Sequence, residues 1–234
     1  MTLTSPDQAP DWTAERRRVL RTALGIGIAT GAYGVSFGAL STTSGLTTTQ
    51  TCALSVLVFT GASQFAFVGV LGAGGGAASG AATALLLGSR NTLYGLRLAP
   101  LLELRGLRRL IGAQLVIDES TAVAVGQGDA RSARLGFWSA GLAVYVLWNT
   151  ATLVGALAGD AIGDPRTYGL DAAVPAAFLA LLAPRLRGRE PWTVALAACL
   201  VALLAVPVVP VGAPVLLAAL VAVAAGLRTP GSGR

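Results

Sequence analysis

About eight runs of apolar, weakly charged sequence follow one another along this chain, at residues 22–40, 51–71, 77–98, 110–126, 135–158, 169–184, 191–207 and 213–227. Each comes close to the ~20 residues that a helix needs to cross the hydrocarbon of a bilayer. A soluble fold would have to give such helices polar faces, and most of these runs have none. Only 12% of the 234 residues are charged, against roughly 25% in an ordinary soluble domain, so there is too little charge to clothe a water-exposed surface. The pattern predicts an all-α, polytopic membrane protein with about six to eight transmembrane or re-entrant helical segments. Residues 1–21 then form a polar, arginine-rich cytoplasmic segment, 22–227 a single helical transmembrane domain, and 228–234 a short cytoplasmic tail. The first run follows Arg16, Arg17, Arg18 and Arg21, is rich in glycine and has no obvious cleavage site. It therefore reads as a membrane helix and not as a signal peptide.

Charge placement restricts the topology. The net charge is +6 and every basic residue is arginine. The arginines gather at the ends of the apolar runs: before the first, at Arg97, Arg105, Arg108 and Arg109, at Arg131 and Arg134, at Arg185, Arg187 and Arg189, and at Arg228. This is the pattern of loops in a plasma-membrane protein; a nucleic-acid partner would need the charges on one accessible face. With all segments crossing, both termini are cytoplasmic but the cluster at 97–109 faces outside. The conflict disappears if one of the first three segments and the segment 110–126 enter and return, which requires protein or a water-filled cavity around the bent backbone. A weak three-segment internal repeat bears on the same point. YGLRLAPLLELRG (94–106) and FLALLAPRLRG (178–188) align on Pro100 and Pro184, and this offset of 84 lays 22–40 over 106–124 and 51–71 over 135–155. Such repeats are typical of secondary transporters. An odd number of crossings would invert the repeats, which disagrees with the re-entrant topology, and both readings stay open.

Three polar interruptions carry what chemistry there is. FTGASQFAFVG (59–69) places Thr60, Gly61, Ala62, Ser63 and Gln64 at membrane depth. A helix broken there frees backbone N–H groups and a positive dipole end, suited to an anionic substrate group. Small-residue helix packing is the alternative for Gly61, Ala62 and Ser63, but the amide of Gln64 still needs partners. LLLGSRNTLYG (85–95) sets Arg90 behind an apolar run, with Asn91 and Tyr94 after it. An arginine within a membrane costs about 2.5–3.5 kcal/mol on insertion scales, so it should face a cavity or a carboxylate unless it snorkels to an interface. LVIDESTAVAV (115–125) holds Asp118 and Glu119. On a helix they lie about 100° apart, so one can pair with Arg90 while the other faces water. Acids at such depth carry protons or form structural ion pairs. Trp148 and Asn149 read equally well as an interface anchor. Pro175 opens or kinks the sixth segment, while Pro207, Pro210 and Pro214 bound a turn between the last two, which read as scaffold.

Several functions are disfavoured. There is no histidine, hence neither the usual metal ligand nor the usual acid–base group. An intramembrane enzyme would have to activate Ser63 with neither histidine nor lysine in the chain. Nothing resembles a Gly-Lys-Ser/Thr phosphate loop, and no cofactor or metal is called for. Cys52 and Cys199 lie in apolar runs and read as small hydrophobes.

The succession YGVSFGAL (33–40), FTGASQFAFVGVL (59–71), RNTLYGLRLAPLL (90–102), DES (118–120) and LDAAVPAAFLALLAP (170–184) resembles the AzlC family, the large subunits of branched-chain amino acid exporters. GASQF and LYGLxLAP together make the resemblance specific. It implies export of valine, leucine and isoleucine with a small AzlD-type membrane subunit as partner. A zwitterionic amino acid needs a cation or N–H cluster for its carboxylate, an acceptor for its ammonium, and an apolar pocket. On this reading Thr60, Gly61, Ser63, Gln64, Phe65, Arg90, Asn91 and Tyr94 bind substrate, with Phe37 and Phe67 nearby, while Asp118 or Glu119 accepts the ammonium or couples an ion. An ion gradient, or the amino acid gradient itself, then drives export. A passive channel, an exporter of other small amino or organic acids, and a structural subunit whose partner holds the site are the alternatives.

Overall fold

The computed structural model describes residues 12–162, 179, 182–183, 186–209 and 213–228, and no strand occurs among them. The apolar runs become α1 (Trp12–Thr43), α2 (Thr48–Leu57), α3 (Ala62–Gly72), α4 (Ala77–Gly88), α5 (Arg90–Leu102), α6 (Gly106–Gln114), α7 (Asp118–Val125), α8 (Ala130–Ile162), α9 (Arg189–Ala205) and α10 (Ala213–Arg228). The all-α class expected from hydropathy is the one observed. Most of the sixth apolar run, including Pro175 and Pro184, lies outside the described residues, as do Arg185 and Pro210. Helix α1 begins at Trp12, so Arg16, Arg17, Arg18 and Arg21 ride on its first turns. There Arg18 pairs with Glu15, one turn away, and the guanidinium of Arg131 sits 3.6 Å above the Trp12 ring.

Helix α1, and α8 over Ala130–Ala161, are each long and apolar enough to cross a membrane unaided. Three other runs are interrupted, 51–71 at residues 58–61, 77–98 at Ser89 and 110–126 at residues 115–117. The 10 residues of α2 and 11 of α3 give helices of about 15 Å and 17 Å, each about half the ~30 Å of a hydrocarbon core. α3 and α4 lie side by side. The repeat register expected from Pro100 and Pro184 does not describe this fold. It lays the interrupted 51–71 over continuous α8 and the continuous 22–40 over the interrupted 106–124. The breaks at 58–61 and 115–117 instead correspond to each other, Gly61 to Ile117 and Gln64 to Ser120.

The chain forms two compact units, residues 1–34 with 91–151 and residues 35–90 with 152–234, within the described residues. In the first, Ala23 of α1, Val123 of α7 and Ala140 of α8 form a buried cluster with Ile26 against it. A Cβ on Gly27 would fall 2.8 Å from the Cβ of Ala143, and one on Gly31 2.7 Å from that of Leu147. In the second unit a Cβ on Gly38 would fall 2.0 Å from the Thr152 carbonyl oxygen, and one on Gly155 2.0 Å from that of Val35. The contacts advance together along both helices, so within each unit the α1 and α8 segments run parallel. Glycines four residues apart, Gly27/Gly31 and Gly155/Gly159, let the backbones approach as small-residue packing in lipid requires. Parallel spanning helices need an odd number of passes between them, which both topologies read from the sequence satisfy. In the second unit α9 and α10 pack together and leave Leu196, Leu200, Leu203, Leu204 and Leu220 exposed, as lipid-facing residues are. Cys52 and Cys199 are free thiols.

Candidate functional site

The break between α2 and α3 is built by its own residues. A capping box starts α2: Thr47 Oγ1 accepts the Gln50 N–H at 3.2 Å, and Gln50 Oε1 accepts the Thr47 N–H at 2.9 Å. The helix ends at Val58, and Gly61 then takes φ 61°, ψ −95°, a conformation open essentially to glycine. No atom lies within 4 Å of a Cβ placed there, so the backbone and not the available space demands glycine. Gln64 ties the two half-helices together. Its Oε1 accepts the Gly61 N–H at 3.0 Å and its Nε2 donates to the Leu54 carbonyl at 3.2 Å. The residue is fully buried, and both ends of its amide are engaged within the break.

The groups at the start of α3 are different. A helix leaves its first N–H groups without ladder partners. The N–H groups of Gln64 and Phe65 go to the Gly61 carbonyl at 3.0 and 3.2 Å, which leaves those of Ala62 and Ser63. Ser63 is 1% exposed. Its Oγ, and the buried Oγ1 of Thr60, have no partner among the described residues. A buried hydroxyl left so costs about 1–3 kcal/mol, so this end of the helix holds hydrogen-bonding capacity that the fold does not use. Gly88 packs close to it, since a Cβ there would lie 3.2 Å from Ser63 Oγ, tighter than ordinary contact. Two residues on, half-buried Arg90 opens α5. The apolar wall is an edge-to-face pair, Phe37 and Phe65, with ring centroids 5.5 Å apart, and both residues are buried.

Three buried hydroxyls of this unit escaped the sequence reading. Thr51, Ser55 and Thr152 are all fully buried; Ser55 Oγ donates to Thr152 Oγ1 at 3.3 Å, and Thr51 Oγ1 has no partner among the described residues. Their signal is a Thr and a Ser four residues apart in an otherwise apolar stretch.

The second break uses the same device in the other unit. The Ile117 N–H donates to Ser120 Oγ at 3.1 Å, and that hydroxyl donates to the Leu115 carbonyl, so Ser120 does here what Gln64 does above. Asp118 and Glu119, half-buried, occupy the first turn of α7, where the helix dipole favours negative charge. Thr30 of α1 donates to Glu119 Oε1 at 3.4 Å, a partner the sequence did not indicate. Gly141 keeps α8 close to this break, because a Cβ there would lie 3.0 Å from the Cβ of Leu115. The residues singled out in the sequence thus fall into two groups. Thr60, Gly61, Ser63, Gln64, Phe65 and Arg90 belong to one unit, and Asn91, Tyr94, Asp118 and Glu119 to the other. Trp148 is 3% exposed and sits within α8, away from its ends, which is not where an interface anchor sits; Asn149 Nδ2 donates to the Tyr145 carbonyl at 2.8 Å. No group of three or more His, Cys, Asp or Glu side chains able to hold a metal occurs among the described residues.

Comparison with known proteins gives the same direction. The family described as "AzlC protein" matches residues 25–162. A protein of Archaeoglobus fulgidus described as an uncharacterized membrane protein is 33% identical over 157 residues, 66% of this chain and 68% of that protein. No solved structure matches. The matched span contains the breaks before α3 and α7, residues 25–43 of α1 and all of α8, and the chain is accordingly a membrane protein that belongs to the AzlC family, a family of membrane transport proteins.

Proposed function

We propose that this chain is the large subunit of a branched-chain amino acid exporter, a multi-pass secondary transporter of the cell membrane that works with a small AzlD-type membrane subunit. Membership of the AzlC family supports the class of function. The observation that carries the reading is the pair of buried, unpartnered hydroxyls of Thr60 and Ser63 at the start of α3. Together with the N–H groups of Ala62 and Ser63 they form a set of neutral donors for the carboxylate of an amino acid. The dipole of a partly buried helix end adds up to about 2 kcal/mol. Held by neutral dipoles, the carboxylate can leave without breaking an ion pair, which suits a site that must release its cargo. Phe37 and Phe65 supply the apolar wall that an aliphatic side chain requires. Arg90, Asn91 and Tyr94 add binding groups along α5, and Asp118 or Glu119 at the start of α7 loads and releases the coupling proton. With no phosphate-binding loop in the sequence, a gradient is the energy source, and both termini are assigned to the cytoplasm.

The test is a cysteine at position 63 in a chain whose Cys52 and Cys199 are replaced by alanine. Ser63→Cys should react with a membrane-impermeant maleimide, and leucine should slow the reaction. A thiol that stays inert while transport is intact would mean that these residues only pack helices.

A further inference from the structure

The elbow between α5 and α6 has a construction that amino acid export does not call on. An open cavity of about 730 Å³ is lined there by Leu102, Glu103, Leu104, Arg105, Arg108, Ile111, Arg134 and Trp138. Its shape is fixed by a backbone turn in which Glu103 takes φ 50° and Gly106 φ 56°. Leu104 folds back onto α6 so closely that a Cβ on Gly112 would fall 2.5 Å from its Cδ1. Arg134 is committed: it pairs with the Glu103 carboxylate, and its Nε donates to the Leu101 carbonyl at 3.3 Å. That pair cancels its own charge. Arg105 and Arg108 have neither an ion pair nor a side-chain hydrogen bond among the described residues, and they leave the cavity with two uncompensated guanidinium groups.

Apolar surface adjoins this charge. Leu107 and Leu110 are each 70% exposed and Ile111 is 48% exposed. At spacings of three and four residues they form one face of α6. Trp138 supplies the kind of amphipathic ring that collects at a membrane interface. A small soluble anion would be served by the arginines alone. Guanidinium groups suited to bidentate contact with a phosphate, next to an apolar helix face and a tryptophan, complement a molecule that is charged at one end and apolar along the rest. We infer that this elbow binds an anionic phospholipid, its phosphate held by Arg105 and Arg108 and its acyl chains laid along Leu107, Leu110 and Ile111. The inference is independent of what the protein transports.

The full chain in phosphatidylcholine vesicles provides the test, with brominated phosphatidylglycerol or brominated phosphatidylcholine as quencher of Trp138 fluorescence. The signal of the Trp138→Phe chain is subtracted to remove the other tryptophans. The site should prefer the anionic lipid about 25-fold, about fivefold for each arginine. Arg105→Gln with Arg108→Gln should abolish the preference, and Arg16→Gln with Arg17→Gln should leave it. All four side chains are exposed, so neither pair of changes threatens folding, which an unchanged elution profile checks. Equal quenching by the two lipids, or a preference that survives the first double change, would overturn the inference. Inorganic phosphate added to the same vesicles forms the second arm. No displacement of the brominated anionic lipid supports a lipid site; saturable displacement that depends on Arg105 and Arg108 would make this a soluble-anion site instead.

Discussion

Two residues hold the first break in opposite ways, Gly61 by a conformation and Gln64 by its bonds. Because nothing lies within 4 Å of a Cβ at position 61, Gly61→Ala isolates the backbone term and should cost about 1–3 kcal/mol. Gln64→Leu should cost at least as much, since it leaves the Gly61 N–H and the Leu54 carbonyl unmatched at about 1–3 kcal/mol for each buried group. Thermal unfolding of the detergent-solubilised chain measures both, and an unchanged midpoint in either variant would mean that packing alone holds the break. The need of Gln64 for partners was legible in the sequence. Which partners it takes was not, because the Leu54 carbonyl and the Gly61 N–H become available only once the helix ladder is interrupted. Thr51 and Ser55 were overlooked for a related reason. A hydroxyl within a helix usually bonds back to the carbonyl four residues earlier, as Ser41 does to Phe37 and Thr83 to Ser79, and sequence alone cannot tell which hydroxyls decline that bond.

Among elements, the parallel segments of α1 and α8 touch through glycine, and a pair of alanine substitutions separates contact from propensity. Gly155→Ala would set a methyl group 2.0 Å from the Val35 carbonyl oxygen, while a Cβ on Gly25 of α1 meets nothing within 4 Å. The first change should destabilise by about 1–3 kcal/mol or more as the helices are forced apart. The second should be neutral or stabilise by up to about 1 kcal/mol, the propensity difference of a helix interior. Similar unfolding midpoints for the two would show that the close approach contributes nothing. The start of α8 carries a pH signature. Asp129 accepts the backbone N–H groups of Ser132 and Arg131, both at 2.9 Å, and the bond from Ser132 holds its carboxyl below the usual range. A depressed carboxylate pKa contributes stability above the unfolded-state value of about 3.9, and the contribution is lost as pH falls through the lower folded-state pKa. Asp129→Ala should therefore lower the unfolding midpoint at neutral pH, and the deficit should shrink as the pH is taken below that range. Hydropathy found these helices but could not distinguish a continuous one from an interrupted one, since 51–71 and 135–158 are both uncharged. The proline-anchored repeat failed at that point, laying a broken run over an unbroken one.

For the whole molecule, the apolar runs and the spacing of GASQF, LYGLRLAP and DES sufficed to identify an AzlC-type membrane protein. The two-unit organisation was not visible, because each of the long helices α1 and α8 contributes to both units and no composition change marks the division. If Asp118 or Glu119 couples protons, Asp118→Asn or Glu119→Gln should abolish pH-gradient-driven leucine export yet keep exchange of labelled for unlabelled leucine, which needs no net proton movement. Loss of both activities together would assign these acids to structure. The central claim is that a carboxylate-bearing aliphatic amino acid passes the start of α3, and leucine efflux against internal concentration, in proteoliposomes holding this chain and its small partner subunit, tests it most directly. The account predicts saturable efflux, with Thr60→Val and Ser63→Ala together raising the half-saturating concentration about tenfold or more, as expected for two lost hydrogen bonds to a charged group. Efflux that rises linearly without saturating, or that is saturable but unchanged in the double variant, would contradict it.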